Sequence, residues 1–138
     1  MVTPSYATLI NRKLLIPSPK APYTAVEINF FQEVMSRVIA NIRVDETWYL
    51  QTYPDIAAAV QEGKIPNARN HYCRHGYYEH RLPYQITIDD PWYRAQYQDV
   101  DHAVATGIFP NAQFHFDEIG FREGRLPWAG FAFDEVGG

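Results

Sequence analysis

Apolar residues along the chain fall into two kinds of pattern. Ile28, Phe31, Val34, Met35, Val38, Ile39 and Ile42 lie on one stripe at helical spacing, and Val26 and Phe30 widen it. This stripe predicts a long amphipathic helix over residues 24–43. Thr24 is its expected N-cap, and Glu27 three residues on completes a capping-box pattern. Beyond it, short aromatic-rich apolar runs alternate with Gly, Pro and Asn in a pattern that occurs twice. Residues 44–84 align without a gap on residues 88–128, about 44 positions later, and about 17 of about 41 positions are identical. A unit of this length used twice predicts one supersecondary element whose copies bury each other's apolar faces.

The shared positions divide by physical role. Asp45 and Asp89 precede aromatic runs as helix N-caps do, Pro54 suits the first turn of a second helix, and Asn67 and Asn111 are N-caps for a third. Gly63 and Gly107 have the placing of C-cap glycines, while Gly76 and Gly120 are expected to end the third helix. Trp48, Tyr49, Tyr53, Ile56, Ala59, Val60, Tyr72, Tyr77 and Leu82, with their counterparts in the second copy, are the expected core. His71 and His115, Glu79 and Glu123, and Arg81 and Arg125 are polar and shared. They are read first as partners of backbone groups or of Asp55 and Asp99 within their own copy, because an unpaired buried polar group costs about 1–3 kcal/mol.

The pattern Tyr53-Pro54-Asp55-Ile56, then His71-Tyr72, then Gly76-Tyr77 followed by Glu79, Arg81 and Pro83 resembles a short bacterial module. That module is found in multiple copies beside glycosyltransferase and polysaccharide-biosynthesis domains and in some large calcium-binding repeat exoproteins. The resemblance covers residues 44–128. Two positions depart from it: Gln98 stands where copy one has Pro54, and His80 stands where copy two has Gly124. The resemblance implies a helical module and a setting in saccharide or cell-envelope biosynthesis. It carries over no catalytic residue.

The expected fold is all-α, one compact domain made of a long helix, two tandem helical units of two to three short helices each, and an extended N-terminal arm. The arm is residues 1–23, where Pro4, Pro17, Pro19 and Pro22 disfavour helix and Leu9, Ile10, Leu14, Leu15 and Ile16 suggest packing onto its own domain or a neighbour. The linker 85–87 is too short to separate domains. Residues 129–138 form an acidic, glycine-flanked tail, with Phe131 and Phe133 as anchors.

The chain has 138 residues and a net charge of −4, with scattered Lys and Arg. That argues against nucleic acid as a partner, since phosphate binding relies on clustered cations. A single cysteine, Cys73, excludes an intramolecular disulfide. With no signal-peptide pattern and no apolar run of about 20 residues, a cytoplasmic protein without a membrane span is expected.

Candidate chemistry gathers in one place. His71, Cys73, His75 and His80 are close in sequence, and His71 and His75, four apart, share one helix face, as metal ligands do. Copy two keeps only His115. Cys73 lacks a surrounding nucleophile signature, and Asp117, Glu118 and Glu123 have the placing of a solvated helix face. Tyr84 and Trp128, at the copy ends, with Arg81 and Arg125, are the candidates for stacking on a small molecule or glycan. No cofactor is implied. The leading expectation is a non-catalytic adaptor or accessory protein that binds another protein or a second copy of itself. Its expected contact residues are Phe30, Phe31, Val34 and Met35, together with Leu14 and Leu15 of the arm. The same stripe has a plainer reading, as the central core helix covered by both copies.

Overall fold

A computed structural model describes residues 5–131. The chain divides into two compact units, Met1–Ala40 and Asn41–Gly138, where the sequence reading expects one domain. Both units are mostly helical, and the described residues include one small sheet.

The first unit begins with helix α1 (Tyr6–Asn11), capped by Ser5, whose Oγ accepts from the Thr8 N–H at 3.1 Å. The helix gives way at Lys13, which takes a left-handed φ of 57°. Strand β1 (Leu15–Pro17) then pairs antiparallel with β2 (Thr24–Val26), in the register Leu15–Val26, Ile16–Ala25 and Pro17–Thr24. Pro17 has no N–H to give and sits at the end of its strand, a position that tolerates proline. The expected extended arm is therefore a helix and half of a hairpin. Pro4, expected in that arm, lies outside the described residues.

Helix α2 (Ile28–Ile39) is shorter than expected. Thr24 is not its N-cap, because Thr24–Val26 are taken up as the partners of β1. Glu27 caps it instead, its carboxylate accepting from the Asn29 and Phe30 N–H groups at 3.0 and 2.8 Å. These two bonds hold the Glu27 carboxyl below its usual pKa. The helix closes at Ala40, so Ile42 and Arg43 are not part of it.

In the second unit, α3 (Glu46–Thr52), α4 (Pro54–Gln61) and α5 (Ala68–His71) lead into a π-helical turn, π1 (Tyr72–Gly76). The order recurs as α6 (Asp90–Gln96), α7 (Gln98–Ala105), α8 (Ala112–His115) and π2 (Phe116–Gly120). Caps follow the sequence: Asp45 and Asp89 accept from the Trp48 and Trp92 N–H groups, and Asn67 and Asn111 from those of Asn70 and Phe114. Gly63 and Gly107 take φ of 74° and 79° just past α4 and α7, where a Cβ would strain the backbone. Each stretch closes on itself, since the Asp45 N–H donates to the Pro83 carbonyl and the Asp89 N–H to the Pro127 carbonyl, both at 3.0 Å. Loop and core are therefore fixed inside about forty residues.

The core runs across the linker. Leu82, Ile86, Ile88, Tyr93, Val100, Ala112 and Phe116 form a buried cluster with Trp48, Tyr84, Trp92 and Trp128 packed around it. Burying a side chain such as Phe116 contributes about 1.5–3 kcal/mol. Ile86 is buried, and the Gln113 side chain donates to its carbonyl at 2.9 Å and accepts from the Ile88 N–H at 3.0 Å, which together fix the linker.

Candidate functional site

At the centre of each stretch a tyrosine meets a histidine. The Tyr49 hydroxyl is hydrogen-bonded to His71 Nδ1 at 2.8 Å, and Tyr93 to His115 Nδ1 at 2.9 Å. All four side chains are buried. Helices α3 and α6 supply the tyrosines, while α5 and α8 deliver the histidines at their last residue. The π turn then brings a glycine against the hydroxyl: a Cβ on Gly76 would collide with Tyr49, and one on Gly120 with Tyr93. The two glycines are thus packing positions as well as helix ends. Burial lowers the pKa of both histidines and raises that of Tyr93 to about 12, so neutral imidazole and phenol face each other at pH 7. His71 Nε2 stands 3.7 Å from Glu79, beyond hydrogen-bonding distance.

Around this pair lies a charged frame. Arg81 donates from Nη1 and Nη2 to Asp55 at 3.1 and 2.7 Å, and from Nε to Glu79 at 2.8 Å. Its guanidinium lies over the Tyr53 ring, 4.8 Å from the centroid, and the Tyr53 hydroxyl accepts from the Leu82 N–H at 2.8 Å. Arg125 does the same with Asp99 (2.8 and 2.7 Å), Glu123 (2.9 Å) and Tyr97 (5.0 Å), and Tyr97 accepts from the Leu126 N–H. Arg125 holds the Asp99 carboxyl down at about 2. The shared polar residues are consumed by one another. Of the aromatics expected at the copy ends, Tyr84 carries Arg43 at 4.2 Å, and Trp128 meets Phe131 edge-on at 5.1 Å. Phe131 packs on the buried cluster beside Trp128, while Phe133 lies outside the described residues.

The expected metal cluster is not assembled. Among the described residues no three His, Cys, Asp or Glu side chains come together to hold an ion. His71 Nδ1 is engaged by Tyr49, although the His75 ring lies 5.8 Å from that of His71. Those two rings line a groove of about 280 Å³ that also carries the positive charges of Lys64 and Arg74, a poor setting for a cation. His80 has φ of 62° where Gly124 has 79°, so it occupies a glycine position of the pattern. Cys73 is half-buried, and burial raises its thiol pKa, which favours an unreactive thiol.

Between the two stretches lies a cleft of about 800 Å³. One wall carries Trp48, Tyr53, Asp55, Glu79 and Arg81; the other carries Asp117, Glu118 and Arg122 from π2 and the turn after it. Burial raises the Asp117 carboxyl, which also accepts from Gln113 Nε2 at 2.9 Å. Sequence reading missed this cleft, because the pairing of one copy's frame with the other's π turn leaves no local signature.

The residues expected to contact a partner lie in the first unit. Phe31 and Val34 are exposed on α2, and Ile28 and Val38 continue the exposed stripe. Phe30 and Met35 are half-buried, as are Leu14 and Leu15 beside the hairpin. No helix among the described residues is long and apolar enough to cross a membrane. Comparison of the chain with family models, curated proteins and solved structures gives no match.

Proposed function

We propose that the protein is a non-catalytic interaction module that docks an apolar helix of another protein onto α2. One observation carries this reading: Ile28, Phe31, Val34 and Val38, at helical spacing on one side of α2, are each between 40% and 60% exposed. Twelve residues of helix span about 18 Å, enough for three contact layers with a partner helix. Surplus apolar surface in a continuous stripe marks an interaction site more often than scattered residues do. The polar residues shared by residues 44–84 and 88–128 serve as internal struts, which suits one motif used twice as scaffold. The resemblance of that motif to the bacterial module supports a setting in saccharide or cell-envelope biosynthesis.

The test is site-specific crosslinking in the source cells, with a photoreactive residue in place of Phe31 or Val34. A single crosslinked polypeptide, lost when Ile28→Asp and Val38→Asp are added, is the expected result. Equal crosslinking from Ser36, on the polar side of α2, would sink the reading. A second reading, a small polar or saccharide ligand, is favoured by the size of the cleft, which lies in the ordinary range for ligand sites. Saturating changes in tryptophan fluorescence with oligosaccharides, abolished by Trp48→Ala, would select it.

A further inference from the structure

Resting on the reading of α2 as a docking face, we propose that the protein docked there is a second copy of this chain, the two helices lying antiparallel about a twofold axis. The first unit has no core of its own. Among residues 5–40 only Ile39 is buried, and α1, β1 and β2 bury no residue. Nine of the thirteen large apolar side chains exposed among the described residues belong to this unit, so it displays the surface that a folded unit normally encloses. A two-stranded hairpin is marginal in water unless something packs on it. A unit of about 40 residues is held together by a disulfide, a metal or association with another chain. Residues 1–40 contain no cysteine and no histidine, and their only acidic residues are Glu27 and Glu33. Glu27 is spent on the N-cap of α2, and Glu33 pairs with Arg37. Association is the means that remains.

The occupant follows from the stripe itself. A face that must be covered whenever the unit is folded needs an occupant made in equal number, and the chain is its own supply. The stripe is also self-complementary. Reversing α2 about Glu33 exchanges the positions of Ile28 and Val38, and likewise those of Phe31 and Met35. Two antiparallel copies therefore set Ile28 of one against Val38 of the other, and Phe31 against Met35, which is the isologous contact of a twofold dimer. The spacing of these four positions is that of a coiled-coil seam. No charged residue stands on the seam. Glu33 lies about 160° around the helix from both Phe31 and Met35, so the twofold axis brings no like charges together.

The test is sedimentation velocity of the full chain across a concentration series, beside Ile28→Asp and Val38→Asp. The expected result is a wild type that passes from monomer to dimer and no further, with both variants remaining monomeric. Their urea midpoints by tryptophan fluorescence, which reports the second unit, should match the wild type, so that lost association is not general unfolding. Because the first unit lacks a core, hydrogen exchange of the α2 amides should slow by at least about tenfold as the dimer fills, while exchange in α3 to π2 stays unchanged. Orientation is read in a Cys73→Ser background: chains carrying Ile28→Cys and Val38→Cys should form disulfide-linked dimers when mixed, and neither should do so alone. A wild type that stays monomeric at submillimolar concentration overturns the proposal, as does a dimer untouched by both aspartates. Cysteine chains that each link to themselves overturn it equally, since that is a parallel pair. The docking reading fails separately. Equal crosslinking from Phe31 and Ser36 removes it, whereas a monomeric purified chain that crosslinks in cells to a different polypeptide keeps it and removes only the self-association.

Discussion

Replacing Gly120 by alanine puts one methyl group where the fold has no room. In an ordinary helix the change would stabilise by about 1 kcal/mol, since alanine is the better helix former. Here the new Cβ would collide with the Tyr93 hydroxyl and stand 3.3 Å from His115 Nδ1. Something must yield, and Tyr93 is fully buried. Overpacking of this kind costs about 1–3 kcal/mol. Displacing the hydroxyl also breaks its bond to His115, leaving buried polar groups unpaired at a further cost of about 1–3 kcal/mol. The net expectation is a loss of about 2–4 kcal/mol. All three tryptophans, Trp48, Trp92 and Trp128, belong to the second unit, so urea unfolding followed by tryptophan fluorescence reports that unit. With a slope of about 2 kcal/mol/M, the midpoint should fall by about 1–2 M. The decisive comparison is the double variant with Tyr93→Phe. Removing the hydroxyl costs stability by itself, yet it clears the space, so the two losses should fall short of adding by about 1–3 kcal/mol. A Gly120→Ala protein as stable as the wild type, or strict additivity in the cycle, would refute the reasoning.

Other outcomes follow from the same geometry. His80→Gly relieves a left-handed backbone at a non-glycine residue and should raise the urea midpoint by an amount worth about 0.5–1 kcal/mol, whereas Gly124→Ala should lower it by about 1 kcal/mol. Stability of the second unit should fall as pH drops below about 6.5, because buried His71 and His115 have lowered pKa values and the unfolded chain binds protons that the folded one refuses. A midpoint at pH 5 equal to that at pH 7.5 would contradict this. A second loss should begin below about pH 4, as Asp55 and Asp99, held down by Arg81 and Arg125 respectively, are protonated, Asp99 only at about 2. At the alkaline end the sign reverses: Tyr93, raised to about 12, should withdraw stability between about pH 10 and 12, and Tyr93→Phe should flatten that limb of the curve. Arg125→Ala strands Asp99 and Glu123 at the surface and should cost about 1 kcal/mol or less, since solvent screens both carboxylates.

Residue chemistry that acts within a few positions was legible in the chain. Asp45, Asp89, Asn67 and Asn111 cap helices because a short polar side chain reaches its own helix N-terminus whatever surrounds it. Gly63 and Gly107 end helices because the left-handed turn is a local demand. The doubling of residues 44–84 at 88–128 was likewise open to inspection, and with it the aromatic core and the partnership of Arg81 and Arg125 with Asp55 and Asp99. Features set by segments distant in sequence were not. Thr24 carries a good capping signal, yet residues 24–26 pair with residues 15–17, and only that ladder moves the start of α2 to Ile28. Gly76 and Gly120 read as helix stops, and only the approach of Tyr49 and Tyr93 makes them positions where nothing larger fits. His80 reads as a candidate metal ligand, and only the fold shows that its backbone takes the same left-handed turn as Gly124. Leu82 and Leu126 are the same residue in the same motif, and the sequence treats them alike. Leu82 is buried in the cluster that the two stretches share, whereas Leu126 is 37% exposed, because burial depends on what packs against a residue and not on the motif around it.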